Sequence, residues 1–245
     1  RVLAFGASVG IINGITNAFK GLVKATMEVQ KNLTDINVVM NLSNQQLDKF
    51  GGGLFKVAAE TGAGFQEASK AATEFARQGL TVNETLKRTK DALILTRLTG
   101  MDATDSVRSL TAAMNTFGHQ VENSTQLVSK FAAVDVKFAV SAKDFAEAIA
   151  RAGQSAKSAG VDLDSFIGMV TAVQEKTARG GAVIGNAFKT IFTRTQRPAT
   201  LQAMEALGVQ VRSLNGEVFS ADKILLNLSK RWDTLTTSQK ANIGQ

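Results

Sequence analysis

A single proline, Pro198, stands in a chain of 245 residues that contains 21 glycines. This imbalance restricts the fold more than any other feature. Proline is kept out of helix interiors and central strands, and an average chain carries it at about 5%. A chain almost free of proline can run many helices, and the glycines are then left to stop them. Along the chain the expected helices are ended by Gly and begun by a small polar residue, as the cap rules require.

Following these signals along the chain gives a succession of helices. Residues 2–50 read as one or two long helices ended by Gly51-Gly52-Gly53, with a short helix from Leu54 to Thr61 behind them. Phe65 to Gln78 follows, with Ala68, Ala71, Ala72, Phe75 and Ala76 at helical period and Gly79 as the stop. Thr81 and Glu84 have capping-box spacing and open a helix to about Leu98, before Gly100. Asp102 caps a helix reaching Phe117. Asn123 with Gln126, and Ser141 with Asp144, mark two further starts. Asp162 caps a helix to about Ala178, and another runs from Ala182 to Thr195 after Gly180-Gly181. Pro198 suits the first turn of a helix that Gly208 ends. Asn215-Gly216 lies between apolar runs at Val209, Val211, Leu214 and at Val218, Phe219, which predicts a β-hairpin. Ser220 opens a helix, and Thr236 with Gln239 opens the last. The expected class is all-α: a multi-helix bundle of short Gly-capped helices with one small β-hairpin, preceded by a long N-terminal helix.

The glycines also suggest an internal repeat. Gly79 and Gly100 are 21 residues apart, as are Gly160 and Gly181, and the two pairs are offset by 81. The expected domains are an N-terminal helical segment (1–50), a duplicated helical core (54–196, with units at about 65–118 and 142–196) and a helix, hairpin, helix subdomain (197–245). Because the chain starts at Arg1 without Met, it is expected to be a piece of something longer.

Catalytic chemistry finds little to work with. With no cysteine there is no disulfide framework, thiolate metal site or thiol nucleophile, and His119 is the one imidazole. Gly51-Gly52-Gly53 lacks the Lys-Ser/Thr of a phosphate loop, and Arg179-Gly180-Gly181 lies between helices instead of after a strand. Glu60, Glu67 and Glu74, beside Lys56 and Lys70, read as a salt-bridged solvent face. No catalytic, cofactor or metal residue is assigned, and no enzyme activity is expected. An enzyme acting on cell-wall glycan would need paired carboxylates in a cleft.

Two features point to partners. The net charge is +7, and from Lys176 through Met204 the chain carries Lys176, Arg179, Lys189, Arg194 and Arg197 with no acidic residue. This stretch is either a solvated basic face or a surface for an acidic protein or for nucleic acid. Without helix-turn-helix, zinc or aromatic stacking signatures, no specific nucleic-acid binding is expected. Gly6, Gly10, Gly14 and Ala18 recur every four residues, which on a helix makes a groove for close packing against the core or against another copy. A homo-oligomer is expected. Residues 2–19 are also free of charge, although Ser8, Asn13, Thr16 and Asn17 dilute their apolar character. The alternative function is therefore a membrane-active helical protein that inserts residues 2–31, with Lys20, Lys24 and Lys31 at the headgroups.

Taken in order, several stretches resemble the core region of bacteriophage tail tape measure proteins. They are the run from Thr61-Gly62 through Phe75-Ala76-Arg77-Gln78-Gly79-Leu80-Thr81-Val82-Asn83-Glu84-Thr85-Leu86, then Ser141 to Ala150, Ala159-Gly160-Val161-Asp162, and Arg179-Gly180-Gly181-Ala182 through Phe192. Met204 to Val211, Asn215-Gly216-Glu217, Ile224 to Leu228 and Gln239-Lys240-Ala241 resemble the end of that core. The resemblance covers about residues 55–245. It implies a protein in the interior of the virion tail, present in the host cytoplasm during assembly, whose length sets that of the tube. It further implies contacts with tail tube and tail-tip (baseplate hub) proteins, release during genome ejection and no site residues, and it is compatible with the membrane-active alternative, since a released protein would have the opportunity of a transient membrane contact. One departure matters: even a wholly helical 245-residue chain would span only about 370 Å, and glycines cut this one into short pieces. The measuring segment is expected to lie outside it.

Overall fold

The computed structural model describes residues 24–120, 123–137 and 141–244. Among them α1 covers residues 24–40. Then come α2 (Asn44–Thr61), α3 (Phe65–Ala76), α4 (Val82–Thr99), α5 (Ala103–Phe117), α6 (Ser124–Lys137), α7 (Ala142–Ser158), α8 (Leu163–Thr177), α9 (Gly181–Thr195), α10 (Pro198–Ala206), α11 (Ala221–Arg231) and α12 (Thr237–Gly244). Short 3-10 turns follow α5, at Gly118–Gln120, and α11, at Trp232–Thr234.

Local chemistry accounts for the helix ends. The side chains of Asp102, Ser141 and Asp162 accept the N–H groups of Asp105, Asp144 and Ser165, each relieving one of the unpaired donors of a first turn. Thr236 and Gln239 satisfy each other reciprocally at the start of α12. At the other ends Gly79, Gly160 and Gly208 take left-handed φ values of 76°, 73° and 75°. Behind the last two, the Val161 and Val209 N–H groups donate back to the Ala156 and Met204 carbonyls at 2.9 and 3.0 Å. Only a residue without Cβ adopts this backbone at no cost, so these turns are written into the sequence.

Two expectations fail. The long N-terminal helix over residues 2–50 is not supported: its first part lies outside the described residues, and α1 stops at residue 40. There Asn41 goes left-handed (φ 48°), the Asn37 carboxamide accepts the Leu42 N–H, and Ser43 with Gln46 forms a complete capping box for α2. α2 then runs straight through Gly51-Gly52-Gly53. Two of these glycines serve packing: a Cβ at Gly51 would lie 3.1 Å from Leu33 Cδ1, and one at Gly53 2.7 Å from Leu86 Cδ1. The small β-hairpin is the second failure. Asn215-Gly216 does turn the chain, with Gly216 at φ 82°, but the arms share only an isolated bridge between Arg212 and Val218. Val209 and Val211 are drawn into a cluster with Leu201, Met204, Ile224, Leu228 and Leu235. The returning arm ends after Phe219, because Ser220 already begins α11. Arms this short do not build a ladder.

The chain divides into two compact units, residues 1–94 and 95–245, with the boundary inside α4. In the first, Phe50 and Leu54 of α2, Ala68, Ala72 and Phe75 of α3, and Ile36 of α1 are fully buried. Phe55 stacks on Phe65 with ring centroids 4.1 Å apart.

In the second unit α7 is the central helix, packed by α5, α6, α8 and α9. Its buried residues are mostly alanine, with Phe145, Ile149 and Gly153, so neighbouring backbones come close. Each helix of this group then contributes phenylalanine to one aromatic core. Phe166 of α8 lies 5.9 to 6.3 Å from the rings of Phe117, Phe145, Phe188 and Phe192. Phe131 of α6 meets Phe145 edge to face at 4.8 Å. α10, α11 and α12 form the separate apolar cluster named above, joined to α7 where the Ala221 N–H donates to the Ala159 carbonyl.

Candidate partner-facing surface

The surface with a possible partner role is carried by α9, whose position is fixed by an unusually close crossing with α7. A Cβ at Gly185 would fall 2.9 Å from both Cα and the carbonyl oxygen of Ala148, and one at Gly181 would run into the main chain of Asp144. Nothing larger than glycine fits at either place with the helices where they are.

Asp144 completes this junction. The N-cap of α9 is Gly180, which has no side chain to cap with. The Asp144 carboxylate supplies the acceptor from another helix: it takes the Gly181 N–H at 2.7 Å, the Gln174 amide of α8 at 2.7 Å and the Ser141 hydroxyl at 2.7 Å. One side chain thus ties α7, α8 and α9 together. A negative charge at the N-terminus of α9 is also favoured by the helix dipole. Burial pushes the Asp144 carboxyl up, but the hydrogen bonds from Ser141, Gly181 and Gln174, with the charge of Lys143, outweigh it and hold the group below the ordinary aspartate range. The sequence marks Asp144 as part of the α7 start; its capping of α9 is not visible there. The available clue is a Gly-Gly helix start, which must borrow its acceptor from elsewhere.

A depressed carboxyl pKa has a definite sign. The stability Asp144 contributes is complete above the unfolded-state value of about 3.9 and is lost as pH falls through the folded value. Asp144→Asn is therefore expected to cost about 1 kcal/mol at neutral pH, in line with other helix caps. The difference from the parent should shrink in acid. Urea unfolding of both proteins across this range checks it, and a difference that stays constant down to the lowest pH would contradict the assignment.

The five basic residues of the acid-free stretch are all exposed. Lys176 lies in the last turn of α8, and Arg179 follows the left-handed Ala178. Lys189 and Arg194 are on α9, and Arg197 is the N-cap of α10. The structure does not gather them into one cluster. It spaces them from the end of α8 to the start of α10, and Arg194 and Arg197 together line a groove of about 270 Å³ with Thr200, Met204 and Ile243. Ion pairs among the described residues include those of Lys56 and Lys90 with Glu60, Arg77 with Glu74, Arg108 with Asp105, Lys130 with Asp164 and Arg212 with Glu205. None involves Lys176, Arg179, Lys189 or Arg197. Gly6, Gly10, Gly14 and Ala18 lie outside the described residues.

The acidic row is used as a salt-bridged face at two of its three members. Glu60 accepts from Lys90 at 2.7 Å, which lowers its carboxyl pKa, and Glu74 accepts from Arg77 at 2.7 Å. His119 falls in the 3-10 turn after α5. A cleft of about 570 Å³ between α5 and α7 is lined by Asp102, Asp105 and Glu147 together with Arg108, Lys143 and Arg151, so its charges balance. Among the described residues no group of three or more acidic or imidazole side chains could hold a metal ion, and no helix is long and apolar enough to cross a membrane.

These features define the class: an all-α chain whose buried side chains serve helix packing and whose charged stretch is displayed on a helix face. A model of the family described as phage-related minor tail protein matches residues 44–245, and the chain belongs to that family. It is a phage tail protein with a structural role in the virion tail. No solved structure matches it.

Proposed function

We propose that this chain is a core segment of a tail tape measure protein, serving as an anchoring module and not as the ruler. The observation that carries this is the combination of a family match over 44–245 with helices of at most 18 residues among the described elements. Such a helix spans about 27 Å, and the glycine turns send the chain back on itself. A part built this way adds little length and presents helix faces to tail tube or tail-tip proteins. We further read the helix triplets 65–118 and 142–196 as copies of one unit. Gly79 and Gly160, 81 residues apart, share the left-handed turn, and each is followed by an apolar residue and a capping side chain, Thr81 or Asp162.

The test is an in-frame deletion of residues 44–245 in the phage, with tails measured by electron microscopy. The expected result is loss of normal tail assembly. Intact tails shortened by about 300 Å, the helical length of the deleted residues, would make the segment part of the ruler and overturn the proposal.

A further inference from the structure

α9 turns Ile184, Phe188 and Phe192 inward and leaves its opposite face to solvent. That outer face is shallow. Asn186, Ala187, Thr190 and Thr193 are small and exposed, with Val183 (49% exposed) and Ile191 (37%) beside them. The Thr190 and Thr193 hydroxyls donate back to the carbonyls of Asn186 and Lys189 at 3.1 and 2.8 Å, which leaves methyl groups for the surface. Side chains of this size let a second helix approach to the usual spacing of about 8–10 Å.

Charge frames this ridge. Lys189 stands on one flank, Arg179 precedes the helix, and Arg194 and Arg197 stand where α9 gives way to α10. At that end the two arginines line the groove whose lining also includes Met204 and Ile243, so cationic and apolar groups meet there. The stretch from Lys176 to Met204 itself holds no carboxylate, and Arg179, Lys189 and Arg197 are exposed.

We propose that the outer face of α9 docks an amphipathic helix of another tail protein, with small or apolar residues along its centre and Asp or Glu on its flanks, one carboxylate entering the Arg194–Arg197 groove. This rests on the tail role proposed above. Charge complementarity selects an acidic partner, and the small, methyl-bearing ridge selects a helix. A second copy of this chain fits less well, since each carries a net charge of +7 and Glu60 and Glu74 are already held by Lys90 and Arg77. Nucleic acid could use the cations through its phosphates, but nothing in a phosphate backbone calls for the ridge between them.

The full chain is titrated, by fluorescence anisotropy, with labelled helical peptides that carry alanine and leucine ridges flanked by glutamate, with their lysine-flanked counterparts, and with a short DNA duplex. The glutamate peptides are expected to bind and the lysine peptides not. Affinity should fall several-fold between about 0.05 and about 0.3 M salt. The double variant Arg194→Glu, Arg197→Glu should weaken binding at least about tenfold, a loss of roughly 1.4 kcal/mol. Ala187→Trp, which blocks the ridge and keeps every cation, should do the same. All three positions are exposed, so the variants are expected to stay folded, which circular dichroism checks. Failure of the glutamate peptides to bind, indifference to Ala187→Trp, or tighter binding of the duplex would overturn the proposal. Each of these leaves the deletion phage result untouched, so the two readings fail separately.

Discussion

Phe166→Ala is expected to destabilise residues 95–245 by about 4 kcal/mol, the range found when a fully buried large aromatic is truncated. Phe166 is completely buried, and its ring faces those of Phe117, Phe145, Phe188 and Phe192 from three other helices. Removing it therefore leaves a cavity with walls on several elements, which cannot all collapse into it. It also ends four aromatic contacts, each with its own preferred geometry. Chemical denaturation followed by circular dichroism measures the loss. A cost below about 1 kcal/mol would mean that this core is loose enough to refill. Phe55, stacked on Phe65 but 47% exposed, should lose much less on the same change.

The second large effect is expected at the α7–α9 crossing. Gly185→Val is expected to cost about 3 kcal/mol, because the new atoms meet the Ala148 main chain, which cannot rotate away as a side chain could. Gly168→Ala on α8 is the internal control. It is exposed, has no atom within 4 Å of the added Cβ, and removes a flexible residue from a helix interior. It should therefore stabilise by about 0.5–1 kcal/mol. Thermal unfolding of the two variants beside the parent separates them by sign. A loss on both, or on neither, would show that the crossing is not the reason glycine stands at 185. Gly185→Val should also disturb the outer face of α9 without touching it, since that face is held in place from behind.

These glycines show what the sequence can and cannot convey. Where a glycine ends a helix, its neighbours announce it. The polar cap that follows Gly79, Gly100 and Gly160 places α4, α5 and α8 to within a residue or two of their observed bounds. Capping depends on a few adjacent residues, so it is legible locally. Where a glycine lets two backbones touch, the reason lies on another helix. Gly51 and Gly53 resemble breaks in the sequence, yet they sit inside α2 opposite Leu33 and Leu86. The spacing of Gly181 and Gly185 with Ile184 and Phe188 does carry a packing signal, and it can be read once α9 is known to begin at Gly181. The hairpin fails for a related reason. Asn215-Gly216 dictates a turn, but pairing of the arms competes with burial of Val209 and Val211 against α10 and α11, and burial wins. The basic residues of the candidate surface are plain in the sequence. That α9 holds a small ridge between them appears only when its buried face is known.

The glycine turns also have a consequence for how the chain acquires its fold. Gly160 reverses α7 into α8 within four residues, and Gly208 sends α10 back in the same manner. Partners in the core are thus mostly adjacent or next-adjacent helices, with Phe117 of α5 reaching three helices on to Phe166 of α8, and among the described residues there is no distant strand to wait for. Topologies of this kind fold rapidly, because little chain entropy is lost before native contacts repay it. The alanine and phenylalanine faces of α7, α8 and α9 are therefore expected to be covered early in folding, which would shorten the time in which they could seize a neighbouring chain.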